Sequence, residues 1–300
     1  MRWFLLCVLA GCVDPAASSP SPMCESNPNV RFLHQNQPVQ ALTVATGGTA
    51  SLSLECLLED LPGQAAFDLP STVTTSADAV ATDLHAATLT IHGSHAGTST
   101  IAITSGDGAT HYGSLAVTVA DVDHLTFRST YDVIPGTADV AFAKEFGTLA
   151  EVELASTTNI VLADDDMIVT PPMGATQTGI RPGVFDIAGT PLGDQTIAVA
   201  SAGAMHGAPF VVVDHADAVA LLDAHPTIPA SGDTADLCFA ATANGRFVAG
   251  LRWAYDIEGA MQGGANCQPV AKGEDADHDG RVAITATAGG VSTQVEAPIQ

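Results

Sequence analysis

Positive charge is scarce in this sequence. Nine Lys and Arg residues face 33 Asp and Glu, only Lys144 and Lys272 are lysines, and the formal net charge is −24 at pH 7. A surface of that sign repels phosphate backbones and anionic head groups, which argues against nucleic acid as a partner. The acidic excess is spread along the chain, and solvation of a secreted surface accounts for it. Aromatic residues are few as well. Trp3 and Trp253 are the only two tryptophans, which leaves little material for the aromatic platform that sugar binding favours. No Cys-x-x-Cys pair offers a zinc-thiolate or redox centre, and no Gly-x-Ser-x-Gly elbow offers a serine nucleophile. No pair of carboxylates stands out for glycoside hydrolysis, and no glycine loop follows the strand–glycine–helix order of a phosphate cradle. An enzyme is therefore not expected. Beyond the N-terminus no apolar run approaches the roughly 20 residues that a membrane-spanning helix needs.

The N-terminus itself is informative. Met1-Arg2 leads into the apolar run Trp3–Ala10 and then Gly11-Cys12, which supplies the basic, apolar and small-residue parts of a secretory leader. Leu9-Ala10-Gly11-Cys12 resembles the bacterial lipobox. That resemblance implies cleavage after residue 11, a signal peptide over 1–11, and acylation of Cys12. Asp14 stands one place too late for an inner-membrane retention signal of the kind some bacteria use, so the outer membrane is the expected location. Residues 12–28 form the lipidated cysteine and a Pro-, Ser- and Ala-rich stretch with little to bury, and read as a flexible tether.

With Cys7 in the leader and Cys12 acylated, Cys24, Cys56, Cys238 and Cys267 remain, and four cysteines allow three pairings. Local pairing, Cys24 with Cys56 and Cys238 with Cys267, is favoured because the two pairs lie at opposite ends of the sequence.

The body alternates apolar and polar residues in short runs bounded by Gly, Asp and Pro, as in Ser114-Leu115-Ala116-Val117-Thr118-Val119. Period-two runs of this kind predict strands with one buried face, and the fold class is all-β. An internal repeat organises them. Ile91–Ser105 aligns with Ile187–Ser201 at a constant offset of 96 positions, matching Gly97 with Gly193 and Ile101 with Ile197. A second signature begins each unit: Gly48-Thr49-Ala50, Gly136-Thr137-Ala138 and Asp233-Thr234-Ala235. Three β-sandwiches of about 90 residues follow, over 29–120, 121–215 and 216–300. Gly47-Gly48-Thr49-Ala50, Ser76-Ala77-Asp78-Ala79-Val80-Ala81 and Ala96-Gly97-Thr98-Ser99-Thr100-Ile101 resemble, in that order, the motifs of bacterial immunoglobulin-like domains of the invasin and intimin type. The middle unit keeps the first and last of these, and the third keeps chiefly Gly232-Asp233-Thr234-Ala235. The resemblance implies tandem immunoglobulin-like sandwiches acting as spacers or adhesion modules. The expected function is a non-enzymatic envelope scaffold, bound to the membrane through its lipid and to an envelope or extracellular protein or polysaccharide. A carbohydrate- or protein-binding module and a secreted lipoprotein hydrolase are the alternatives.

One segment suggests metal binding. Asp275-Ala276-Asp277-His278-Asp279-Gly280 places carboxylates at positions 1, 3 and 5 and glycine at 6, the first half of a calcium loop, and Val282 suits position 8. Position 12 is Ala286 where a calcium loop carries Glu, although Glu274 or a carbonyl could complete the shell. The competing reading is an acidic turn between two strands, with no cofactor. Asp164-Asp165-Asp166 reads as a solvated hairpin tip. His85, His92, His95 and His111 read as scattered surface or turn histidines, because His-x-x-His on a strand does not align both rings on one face.

Overall fold

The computed structural model describes residue 24 and residues 29–56, 66–129, 132–133, 139–144, 149–223 and 225–300. The lipobox Leu9–Cys12 and, apart from Cys24, the tether lie outside the described residues, as do Gly136, Thr137 and Ala138 of the second repeat signature. Among the described residues no helix is long and apolar enough to cross a membrane.

The class is all-β, in paired sheets, as the alternation predicted. The chain divides into two compact units, one made of 1–42, 51–91 and 99–117, the other of 43–50, 92–98 and 118–300. The strands Gln37–Val39, Val30–His34, Thr49–Cys56, Thr88–Gly93 and Val80–His85 form one sheet in that order, which belongs to the first unit except for Thr49, Ala50, His92 and Gly93. Ala41–Ala45, His111–Ala120, Gly97–Ser105 and Ser71–Thr75 form the other. The alternation decides which side chains enter the core. Leu52, Leu54, Leu89 and Ile91 from one sheet, and Ile101, Ile103, Leu115 and Val117 from the other, are all buried, each worth about 1.5–3 kcal/mol. The polar residues between them point outward. Phe67 meets Tyr112 edge to face at 5.3 Å. Gly113 makes a close approach to Val30: a Cβ there would fall 2.5 Å from one of its methyls, so the valine would have to shift.

The second unit gathers what the repeat divides at 215/216. Here the strands Ile168–Thr170, Gly193–Ser201, Ala204–Val213, Val140–Ala143, Arg246–Ala249, Thr234–Ala243 and Ala218–Leu221 make one continuous sheet, with Cys267–Ala271 added beside Thr234–Ala243. The short strand Val140–Ala143 joins its halves, running parallel to Ala204–Val213 on one side and to Arg246–Ala249 on the other. Its sequence, Val-Ala-Phe-Ala, is continuously apolar, as a strand covered on both faces must be. Phe142 enters one core with Phe185, Phe210 and Phe247, whereas the next residue, Ala143, enters another with Phe239, Trp253 and Tyr255. Phe247 and Val248 divide between the cores in the same way. A sheet of His124–Ser129, Leu149–Ala155, Val184–Asp186 and Thr176–Gln177 contributes Leu125, Val152, Leu154 and Phe185 to the first core. The second core is lined by a sheet of Ala260–Gly264, Trp253–Ile257, Arg281–Ala288 and Val291–Pro298.

The repeated segments take equivalent places. Gly97–Ser105 and Gly193–Ser201 are strands of equal length, each beginning at its glycine and each paired with the strand that follows.

Candidate cation site

Cys12 lies outside the described residues. Cys24 is bonded to Cys56 and Cys238 to Cys267, the local pairing. Cys238 and Cys267 stand directly opposite each other on antiparallel strands, so the bridge clamps Thr234–Ala243 to Cys267–Ala271.

Asp275, Asp277 and Asp279 come together. One carboxylate oxygen of each lies within 4.8 Å of the others. The loop runs from the single 3-10 turn Lys272–Glu274 to the strand Arg281–Ala288. Three backbone contacts shape it: Gly280 N donates to Asp275 Oδ2 (3.2 Å), Asp279 N to Asp277 Oδ1 (3.1 Å) and Arg281 N to Asp279 Oδ1 (2.9 Å). The chain reverses through His278 at φ +60° and Gly280 at φ +85°, a conformation that favours glycine at the second position. Asp275 is 8 % exposed, and its Oδ1 is buried without a hydrogen-bond partner. Val282 is fully buried, as position 8 requires. Ala286 is buried in the core of the adjoining sheet and supplies no oxygen from its side chain. Glu274, which sequence alone left available to the loop, is committed elsewhere: its carboxylate accepts from Ala271 N (2.8 Å) and Gln262 Nε2 (3.3 Å).

Asp164 departs from expectation. The Asp164–Asp166 run predicts a solvated tip, but Asp164 is only 6 % exposed. Its Oδ1 accepts from Thr49 N (3.1 Å) and Asp166 N (3.3 Å), and its Oδ2 from Ser201 Oγ. The residue is a buried staple within the second unit, with its charge held by donors from three segments. No local signal separates it from Asp165 and Asp166, because the donors Thr49 and Ser201 lie far away in sequence.

Of the histidines, His92 Nδ1 lies 3.2 Å from Thr49 Oγ1 on the neighbouring strand, and His85 and His111 stand exposed on strands. Among the described residues, the aspartate triplet is the one cluster of His, Cys, Asp or Glu with metal-ligand spacing, and none of these histidines joins it.

A groove of about 590 Å³ in the second unit is lined by His124, Arg128, Asp132, Asp139 and Glu153, among others. Two of its carboxyls have raised pKa values. Burial raises Glu153, with the Arg128 guanidinium 2.9 Å away pulling the other way. Burial also raises Asp132, against donors at Gly250 N and Ser129 Oγ. Next to Asp132, Asn266 bonds both the N–H and the C=O of Val133 and the carbonyl of Phe239. This knot leaves no trace in the sequence, because a single aspartate and a single asparagine carry no motif. Its fixed partners give it a structural role, and the sign of its pH dependence follows. Asp132 binds its proton more tightly folded than unfolded, so its contribution to stability is full below the unfolded value of about 3.9 and is lost as pH rises through the raised folded value. Urea unfolding at pH 7 and pH 4 should therefore show the wild type gaining on Asp132→Asn upon acidification. A constant difference between the two would refute the buried carboxylate.

No protein-family profile and no curated protein sequence matches the chain. Solved structures overlap it loosely. Domains 5–6 of the S-layer protein SbsC share 17 % identity over 58 % of this chain and 94 % of theirs, with a TM-score of 0.26. The Escherichia coli adhesin FdeC shares 14 % over 91 % of this chain and 96 % of its own, with a TM-score of 0.23. The three-Ig titin fragment I67–I69 shares 13 % over 90 % and 98 %, with a TM-score of 0.20. Overlaps this loose assign neither activity nor partner, and the all-β architecture rests on the chain's own strand order.

Proposed function

We propose that this chain is a non-enzymatic cell-envelope lipoprotein, a scaffold of immunoglobulin-like sandwiches anchored by lipid at Cys12 and held off the membrane by residues 13–28. The observation that carries the reading is Leu9-Ala10-Gly11-Cys12 placed directly after a basic residue and an apolar run. A single acyl chain binds membranes only marginally, so stable anchoring requires several chains on that cysteine. The body fits a scaffold role: its sheets fill their interiors with Leu, Ile, Val and Phe, leaving loops and strand edges as the surfaces available to an envelope or extracellular protein or polysaccharide. The outer membrane is the proposed location, because no aspartate directly follows Cys12.

Expression in a Gram-negative host fed an alkyne-tagged fatty acid tests the anchor. The wild type should carry the label and sediment with the outer membrane, while Cys12→Ala should lose the label and leave the membrane fraction. An unlabelled wild type, or a label that survives Cys12→Ala, would remove the lipoprotein reading.

A further inference from the structure

We propose that Asp275, Asp277 and Asp279 form a binding site for one calcium-class divalent cation. Three carboxylates converge within 4.8 Å, and among the described residues none of them pairs with a Lys or Arg. The cationic side chain nearest in sequence, Arg281, is turned to Glu296 at 3.0 Å and does not neutralise them. The second observation is independent of that clustering. Asp275 is nine-tenths buried, and its Oδ1 has no donor at all, although its Oδ2 accepts from Gly280 N. A buried carboxylate oxygen without a partner is costly, and a native structure ordinarily satisfies it with a donor, a water or an ion. Here the unpartnered oxygen belongs to a residue whose carboxylate converges with two others, which makes a cation the best-fitting partner.

The donor set selects the class of ion. All three side chains offer oxygen, and His278, placed between them in sequence, is not part of the cluster. Oxygen-only donors favour hard cations over zinc or copper. A loop of monodentate carboxylates, with water in the remaining positions, suits the irregular shell of calcium better than the strict octahedron of magnesium. With Ala286 at position 12 and Glu274 engaged elsewhere, no bidentate glutamate closes the shell. The site should therefore belong to the weak, extracellular class, with a Kd of roughly 0.1–1 mM. At about 1 mM calcium it would be roughly half to nine-tenths filled, tying the 3-10 turn at Lys272–Glu274 to the strand Arg281–Ala288.

The test uses the full chain, stripped with chelator and titrated separately with calcium chloride and magnesium chloride. Calorimetry should count one calcium per chain, with magnesium weaker. The unfolding midpoint of the second unit should rise by about 3 °C or more at a tenfold excess over Kd. The exposed pair Asp277→Asn/Asp279→Asn should lose at least about tenfold in calcium affinity, as expected when two of the charged oxygen ligands are removed, while keeping the wild-type midpoint in chelator. Asp275→Asn should abolish the calcium-induced rise, read against its own midpoint in chelator. Absence of binding to the wild type, affinity unchanged by the double substitution, or tighter binding of magnesium than of calcium would each overturn the proposal.

Discussion

Phe142→Ala should lower the stability of the second unit by about 3–5 kcal/mol, the usual range for emptying a fully buried phenylalanine site. Phe142 has no exposed surface and sits among Phe127 and Phe210 at centroid distances of 6.3 and 6.2 Å, with Phe185 packed in turn on Phe210. Its strand borders both cores, since Phe142 faces one and Ala143 the other. The loss should therefore appear in a single unfolding transition covering Thr118–Gln300, with the midpoint displaced by about 10 °C for a unit of this size. Calorimetric scans of the wild type, Phe142→Ala and the exposed control Met173→Ala would check it; Met173 is 78 % exposed and should change little. A loss below about 1 kcal/mol, or a second unit whose own unfolding splits into two transitions in the wild type, would contradict the shared strand, because a residue this buried in one cooperative unit cannot be truncated so cheaply.

Removing the Cys238–Cys267 bridge should cost about 3.5 kcal/mol in the chain-entropy account, given a sequence separation of 29. The two cysteines face each other in register at the end of a strand pair that begins Thr234 opposite Ala271. Their neighbours Leu237, Phe239 and Val270 belong to the same core as Trp253 and Tyr255. The double variant Cys238→Ala/Cys267→Ala, unfolded in urea beside the wild type, should show a lower midpoint with a somewhat larger slope, because the unfolded chain is released from its loop. An unchanged midpoint would mean that the strand pair holds that loop without the bond. Tyr255 provides an internal reporter in both experiments. Its hydroxyl donates to Ala265 O at 2.7 Å, and burial raises its pKa well above the usual value, so its ionisation at ordinary alkaline pH should mark unfolding.

Strand existence was legible wherever one face is buried and the other wet. Thr49–Cys56, Gly97–Ser105 and His111–Ala120 alternate cleanly, and the pleat sends alternate side chains to opposite faces. The aspartate loop was legible for a related reason: its spacing in sequence is the spacing that the turn uses. Asp164 and Asp132 were not, because burial and distant donors define them. Thr49 and Ser201 hold one, and Gly250 the other.

By itself, the sequence determined the all-β class, the repeat strands and the half-loop of aspartates, which depend on residues close together or on a period of two, whereas it only favoured the local disulfide partners among three pairings and the fold fixed them. Tertiary structure alone decided that residues expected as a second and a third sandwich share one continuous sheet. That outcome turns on two short parallel pairings of Val140–Ala143, a strand whose unbroken apolar run says it is covered on both faces but not by what. Positive charge is scarce in the chain, and the fold gives that scarcity a local consequence: Arg281, two places beyond Asp279, is bound to Glu296, and among the described residues no Lys or Arg pairs with the three carboxylates.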